Sequence, residues 1–238
     1  KKTVIYNFRK NDLENGGHGA PLTPIFHRVL KKKFEIEDAI FINIGGIVNI
    51  TALYNNKHMS GRDIGPGMCL IDRWVRIKSG KKYDESGKIA KSGKINKKVL
   101  DKLLKNFKEK ENILSKVQSY DTKYFNLSFI EGLSLQDGAA TLTEFTAQII
   151  ISYLKLKPLD KKKIILCGGG RKNTFLIEKI KKNIDHLKLI DNYGVDGDFV
   201  ESQAFAYLAI RSYLKLPISF PETTGVKIPC TGGIIAKN

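Results

Sequence analysis

Apolar residues change their spacing several times along the chain, and each change predicts an element. TVIYNF, Thr3 to Phe8, reads as a short strand, and the glycine-rich NGGHGAP, Asn15 to Pro21, as a loop. From Leu22 to Lys33 the spacing is helical, with Leu22, Ile25, Phe26, Val29 and Leu30 on one face. AIFINI, Ala39 to Ile44, and IVNITALY, Ile47 to Tyr54, are β-rich runs on either side of Gly45-Gly46, which predicts a tight hairpin. Asn55 to His58 reads as a turn leading towards Asp63. Gly65-Pro66-Gly67 then punctuates the backbone, because Gly permits positive φ and Pro fixes φ near one value.

Beyond Gly67 the helical period dominates. Helices are predicted over Met68 to Ile77, Asp84 to Lys91, Lys94 to Lys110 and Gly138 to Leu156. Ile164 to Cys167 reads as a short buried strand of the parallel-sheet kind, running into Gly168-Gly169-Gly170. A helix over Asn173 to Lys182, a strand over Leu187 to Ile190 and a helix over Phe199 to Leu214 follow, and PETTGVKIPCTGGII ends the chain as loop and strand. A hairpin-rich start followed by strand–helix alternation is an α/β pattern.

Composition narrows the class. The 238 residues, 42% hydrophobic with a mean hydropathy of -0.24, suit a soluble protein of one large domain or two lobes. No apolar run approaches the roughly 20 residues that span a bilayer, and KKTVIYNFRKND lacks the apolar core of a secretory leader. Cys69, Cys167 and Cys230 are far apart and odd in number, with no metal spacing, so a reducing cytoplasm is expected and no metal ligand set is assigned. Lys+Arg is 41 against 24 Asp+Glu, a formal charge of +17. The lysines are scattered in doublets and triplets (Lys31 to Lys33, Lys81-Lys82, Lys97-Lys98, Lys161 to Lys163, Lys181-Lys182) and read as solvated helix faces. With no recognition motif and no aromatic-interleaved basic segment, nucleic acid is not an expected partner.

The candidate chemistry sits at glycines and acids. NIGGIVN, GRDIGPG and LCGGGRKN each follow a strand-like run, and backbone N–H groups freed by glycine can face phosphate at such strand ends. Each is also compatible with a bare turn, and none matches a Walker A loop or a dinucleotide fingerprint. Asp63 is either a turn carboxylate or a functional acid. Asp72 and Arg73 read as a surface pair, Glu144 as a paired or an exposed helix acid, and Glu201 as a first-turn acid favoured by the helix dipole. His18 and His27 are too isolated for a metal site.

Taken in order, NFRKNDLENGGHGAPLTPIFH, INIGGIVNIT, GRDIGPGMCLIDRW, YDESGKIAKSG, DGAATLTEFTA, ILCGGGRKN and VESQAFAYLAIR followed by LPISFPETTG resemble the anhydro-N-acetylmuramic acid kinases of peptidoglycan recycling. The matches cover Asn7 to Gly225. The resemblance implies a two-lobed ATPase fold of the actin, hexokinase and Hsp70 kind. It implies that residues 1–38 are a remnant of the first lobe and 39–238 the second, with the C-terminal tail packing back on the first. A GTSxDGxD-type phosphate-binding hairpin, which family members carry upstream, is not in this sequence. The N-terminal part of the first lobe is therefore expected to be missing, and the chain by itself to have little kinase activity.

The resemblance further implies opening of the 1,6-anhydro bridge by water and phosphorylation of O6 by ATP with Mg²⁺. Asp63 matches the general base and Glu201 its supporting acid. Gly45 and Gly46 would face the phosphates, Gly168, Gly169 and Gly170 the adenosine, and Arg9 with Gly16, Gly17, His18, Gly19, Ala20 and Pro21 the sugar. A homodimer is compatible with it. Departures lie at Asn7, where the family usually has Asp, at Ile64 and Met68 beside Asp63, and at Thr122, where an Arg is usual. These keep open another sugar or acetate kinase of the superfamily, or a nucleotide-binding protein without catalysis.

Overall fold

The computed structural model of the chain describes residues 2–55, 58–114, 119–156 and 162–237. Its elements are β1 (Thr3–Tyr6), α1 (Lys10–Glu14), α2 (Pro24–Lys33), β2 (Ala39–Ile44), β3 (Ile47–Tyr54), β4 (His58–Pro66), α3 (Cys69–Ser79), α4 (Lys88–Lys91), α5 (Lys97–Leu114), α6 (Leu135–Lys155), β5 (Lys163–Cys167), α7 (Thr174–Lys181), β6 (Leu187–Leu189), α8 (Val200–Tyr213), α9 (Pro221–Thr224) and β7 (Ile234–Lys237). The α/β class read from the sequence holds.

Five strands form one sheet in the order β4-β3-β2-β5-β6. β2 pairs antiparallel with β3 through the Gly45-Gly46 turn and parallel with β5. Side chains alternate between the two faces. Ile40, Ile42 and Ile44 of β2 join Val48, Ile50, Ile164 and Leu166 in a core closed by α3, α5, α6 and α7. Ala39 and Phe41, with Leu53, Ile165 and Cys167, point the other way, against α2 and α8. Helices on both sides explain the unbroken apolar runs of β2 and β5. Each fully buried Ile or Phe stabilises the fold by roughly 1.5–3 kcal/mol.

β1 and β7 pair antiparallel, Thr3 opposite Lys237 and Tyr6 opposite Ile234, so the C-terminal strand lies against the first one. Several boundaries differ from the sequence reading, and three of the differences have a clear local reason. α6 starts at Leu135 rather than Gly138 because the Ser134 hydroxyl accepts from Asp137 N (3.1 Å). α5 starts at Lys97 because Asn96 Oδ1 accepts from Val99 N (3.1 Å). The helix expected over 84–91 breaks at Ser86, whose φ is 56°, and only Lys88–Lys91 is α-helical. The larger difference is β4. A strand runs through Asp63 up to Pro66, where a turn and glycine punctuation were expected. β4 is an edge strand, so Pro66 at its last position removes no ladder donor that the sheet needs. Asn56 and Lys57 of the expected turn, and Gln118, lie outside the described residues.

Candidate active site

The sheet face under α2 and α8 is apolar at one end and polar at the other. Along β2 it presents Ala39, Phe41 and Asn43; along β3, Leu53, Thr51 and Asn49; along β4, Met59, Gly61 and Asp63. Asn43 stands opposite Asn49, and Asn49 opposite Asp63. Directly opposed residues share a face, so the three form a polar row across three strands. The row lines a cleft of about 860 Å³. Thr51, next along, is occupied: its hydroxyl meets His27 Nδ1 at 2.8 Å, and the His27 ring stacks on Phe41. Burial pushes the His27 pKa down to about 3, so it is a neutral core residue.

Asp63 is 6% exposed and accepts from Tyr120 N at 2.6 Å. Burial pushes its carboxyl up to about 6, against the Tyr120 N–H, the Ser119 side chain and the positive charges of Arg62 and Arg9. A carboxylate that is ionised near neutrality and close to its pKa is matched to general-base work. Among the described residues neither Asp63 nor Glu201 makes an ion pair. Glu201, in the first turn of α8, is exposed and lines the same cleft, with no hydrogen bond between it and Asp63 among the described residues.

The glycine turns meet at the C-terminal ends of β2 and β5, where open α/β sheets gather ligands. Gly67 N donates to Gly46 O (2.9 Å) and Met68 N to Gly45 O (2.8 Å). A Cβ on Gly67 would run into Gly45 O, so the two turns interlock. Gly168 has φ +80°, and a side chain there would strike Asn43 and Ile44. Arg171, 6% exposed, fastens this turn: its Nη1 donates to Gly168 O (3.2 Å), its Nε pairs with Asp191 (2.8 Å) and its Nη2 with Asp198 (3.0 Å). Gly45, Gly46, Gly168 and Gly169 line the main cleft, whereas Gly170 lines a second cavity of about 380 Å³ beyond the turns. Met68, Asp72, Tyr83, Ser86, Lys172 and Asn173 are on the wall of that cavity, which shares Gly45, Gly46 and Gly169 with the cleft.

The loop assigned to the sugar divides. Arg9, Gly19, Ala20 and Pro21 line the cleft; Gly16, Gly17 and His18 do not. His18 faces Thr224, with its N donating to Thr224 O (2.8 Å). The organiser is Asp12, 1% exposed, which accepts from Gly19 N and Thr224 Oγ1, both at 2.6 Å. Arg9 Nε donates to Gly19 O (3.0 Å) and so ties the loop to the cleft. Sequence reasoning points to neither Asp12 nor Arg171, because Asp12's partner Thr224 is 212 positions away and Arg171's are carboxylates in a later loop.

Two other expectations change. Among the described residues Asp72 makes no ion pair with Arg73 and its buried Oδ1 has no partner, and burial pushes its carboxyl up to about 6. Glu144 is the paired acid of its two readings, bonded to Lys179 at 2.6 Å. The three cysteines are free thiols, and among the described residues no helix is long and apolar enough to cross a membrane and no group of three or more His, Cys, Asp or Glu is arranged for a metal.

The anhydro-N-acetylmuramic acid kinase family profile matches residues 1–238. A curated relative of that name from Pelagibacter ubique is 52% identical over 100% of this chain and 66% of its own length. One from Zymomonas mobilis is 39% identical over 99% of this chain and 64% of its own. The chain thus spans just under two thirds of these relatives. Among solved structures, component A of (R)-2-hydroxyglutaryl-CoA dehydratase from Acidaminococcus fermentans covers 75% of this chain, and 65% of its own, at 17% identity and a TM-score of 0.42, too low to assign a fold.

Proposed function

The chain belongs to the anhydro-N-acetylmuramic acid kinase family, and from that premise we propose that its cleft opens 1,6-anhydro-N-acetylmuramic acid with water and phosphorylates O6 from ATP. The observation that carries this reading is Asp63: a buried carboxylate with a raised pKa, facing the cleft beside interlocked glycine turns. Asp63 takes one proton from a water attacking C1. The C1–O6 bond breaks, and its electron pair goes to O6. O6 attacks the γ-phosphorus, and the β,γ-bridging oxygen leaves on ADP. General-base assistance is worth about 10²–10⁴-fold; positioning by backbone amides supplies much of the remainder.

The cavities fit this division. The smaller one, with Gly169 and Gly170 on its wall, would hold the adenosine, and the phosphates would cross Gly45 and Gly46 into the cleft. Arg9 with Gly19, Ala20 and Pro21 would meet the sugar, and Glu201 would support Asp63 from α8. Mg²⁺ takes one or two protein carboxylates together with phosphate oxygens and water. Glu201, exposed in the cleft and free of ion pairs among the described residues, suits that donor set and would hold it, where the ion would neutralise charge on the transferred group. The same reading takes residues 1–38 as part of a first lobe and 39–238 as a second, in the two-lobed manner of actin, hexokinase and Hsp70. It places the enzyme in the cytoplasm and is compatible with a homodimer.

The test is a product assay on the intact protein with ATP, Mg²⁺ and the anhydro-sugar, read by mass spectrometry. N-Acetylmuramic acid 6-phosphate is expected. Phosphorylation of a different sugar or of acetate, with none of this product, overturns the reading.

A further inference from the structure

We propose that the side-chain amide of Asn49 is a catalytic group that orients the attacking water beside Asp63, by accepting the hydrogen that Asp63 does not take. The proposal rests on the kinase reading above. Its first support is register. Val48 pairs with Gly65, but Asn49 pairs with Asp63, so the ladder slips at this point and Ile64 is the extra residue. Ile64 turns into the core on the other face of the sheet. Without that bulge Asn49 would oppose Ile64, and no polar pair would form. Bulges are over-represented next to active sites, where they re-aim a side chain. This one aims Asp63 at Asn49.

The second support is an unmet hydrogen bond. Asn49 lines the cleft, and its Oδ1 is buried with no partner among the described residues. A buried acceptor is costly to leave without a hydrogen bond. The last torsion of an Asn side chain is soft, so a rotation turns the amide oxygen into the cleft. The neighbours do not compete for the role. Thr51 is already bonded to His27, and Asn43 lies a strand further from Asp63.

Chemistry makes a neutral amide the right partner. A water attacking C1 carries two hydrogens. One leaves to Asp63; the other stays and becomes the hydrogen of the new C1 hydroxyl. An acceptor for that second hydrogen fixes the direction of the attacking lone pair. A second carboxylate could accept it too, but its charge would raise the pKa of Asp63 further. Around Asp63 the other facing groups are Arg62 on its own strand, Arg9, Ser119 and Tyr120, with neutral His27 and the acids Glu201 and Asp198 lining the same cleft beside Arg171.

Steady-state kinetics of the intact enzyme, following phosphorylated sugar at saturating ATP, test this. Asn49→Ala is expected to lower kcat by about 10- to 100-fold, less than the roughly 10²–10³-fold lost with a charge-stabilising donor, because the lost bond orients a neutral water. The KM for the sugar should stay within about threefold, since the lost contact is to the water. Asn49→Asp places a second carboxylate opposite Asp63 and should move the acid limb of kcat up by about one pH unit or more. A merely structural Asn49 leaves kcat unchanged, whereas the acid limb of Asn49→Asp checks that position 49 stands opposite Asp63. A kcat within about twofold of the parent, or an unmoved acid limb, overturns the proposal. Should Asn49→Ala fail to fold by circular dichroism, kcat of the near-isosteric Asn49→Leu, which also lacks the acceptor, decides by the same measure. A parent that forms no 6-phosphate sinks the kinase reading and this proposal with it; an active parent with indifferent variants sinks Asn49 alone.

Discussion

Asp63 is costly to keep ionised where it stands. Its folded pKa, raised to about 6, lies above the ordinary value of 3.8. The folded state therefore holds the proton more tightly than the unfolded one. The stability that this proton contributes is fully present below about pH 3.8 and is lost as pH rises through 6. Above that the charge costs on the order of 3 kcal/mol. Asp63→Asn keeps an oxygen to accept from Tyr120 N and removes the charge. It should melt at a higher temperature than the parent at pH 8, with the gap closing towards pH 4. On the kinase reading proposed above, it should also lose about 10²-fold or more in kcat, with ring-opened and phosphorylated sugar disappearing together. In the parent, kcat/KM should fall on the acid side with a midpoint near 6. A variant no more stable at pH 8, or one that still phosphorylates at nearly the parent rate, would leave Asp63 a structural carboxylate. At this scale the sequence was informative where a residue acts through its own turn, and silent where it acts through a distant one. Asp12 and Arg171 look like ordinary surface charges until the fold brings Thr224, Asp191 and Asp198 to them.

Elements were legible in proportion to how completely they are buried. β2, β3 and β5 are covered on both faces and announce themselves as apolar runs. β4 hides because Gly61, Gly65 and Pro66 are types that strands usually avoid. Those small residues are there for close approach: a Cβ on Gly61 would press on Pro24 of α2. Close approach also dictates Gly138 in α6. A side chain there would overlap the indole of Trp74, which is 2% exposed and donates from Nε1 to Leu135 O (3.0 Å). Helix propensity alone favours Ala over Gly by about 1 kcal/mol. Overpacking a closed core costs about 1–3 kcal/mol, and Trp74 has no room to yield. Gly138→Ala should therefore destabilise, by roughly 1–2 kcal/mol net in urea unfolding. Gly132, exposed and with nothing within 4 Å of where a Cβ would stand, is the control, and its Ala variant should be near neutral. A stabilised Gly138→Ala would mean that α6 can lift from α3 at little cost.

The cleft draws on the whole molecule. Its walls come from Asn7 to His27, from Asn43 to Asp63, from Ser119 and Tyr120, and from Gly168 to Phe205. No local pattern encodes such a convergence, which is why only the ordered set of motifs pointed to a candidate site, and why individual glycine turns left a bare turn open. The charge is the other property of the whole. At +17 the protein will attract polyanions. The doublets Lys81-Lys82, Lys97-Lys98 and Lys181-Lys182 are exposed, and they belong to three separate elements, the segment after α3, α5 and α7. In the triplet at the end of α2, Lys31 is buried and only Lys32 and Lys33 face solvent, which corrects the reading of all three as solvated. A groove that reads a duplex needs basic groups in register with phosphates and side chains that reach base edges. Dispersed lysines provide counterion release and no register. Two labelled duplexes of unrelated sequence should therefore bind equally and weakly at about 0.02 M salt. Both complexes should be lost by about 0.15 M, where the Debye length falls to about 8 Å and separate doublets no longer act together. Fluorescence anisotropy across that salt range decides it. A complex that prefers one sequence and survives physiological salt would overturn this reading and point to an ordered basic surface.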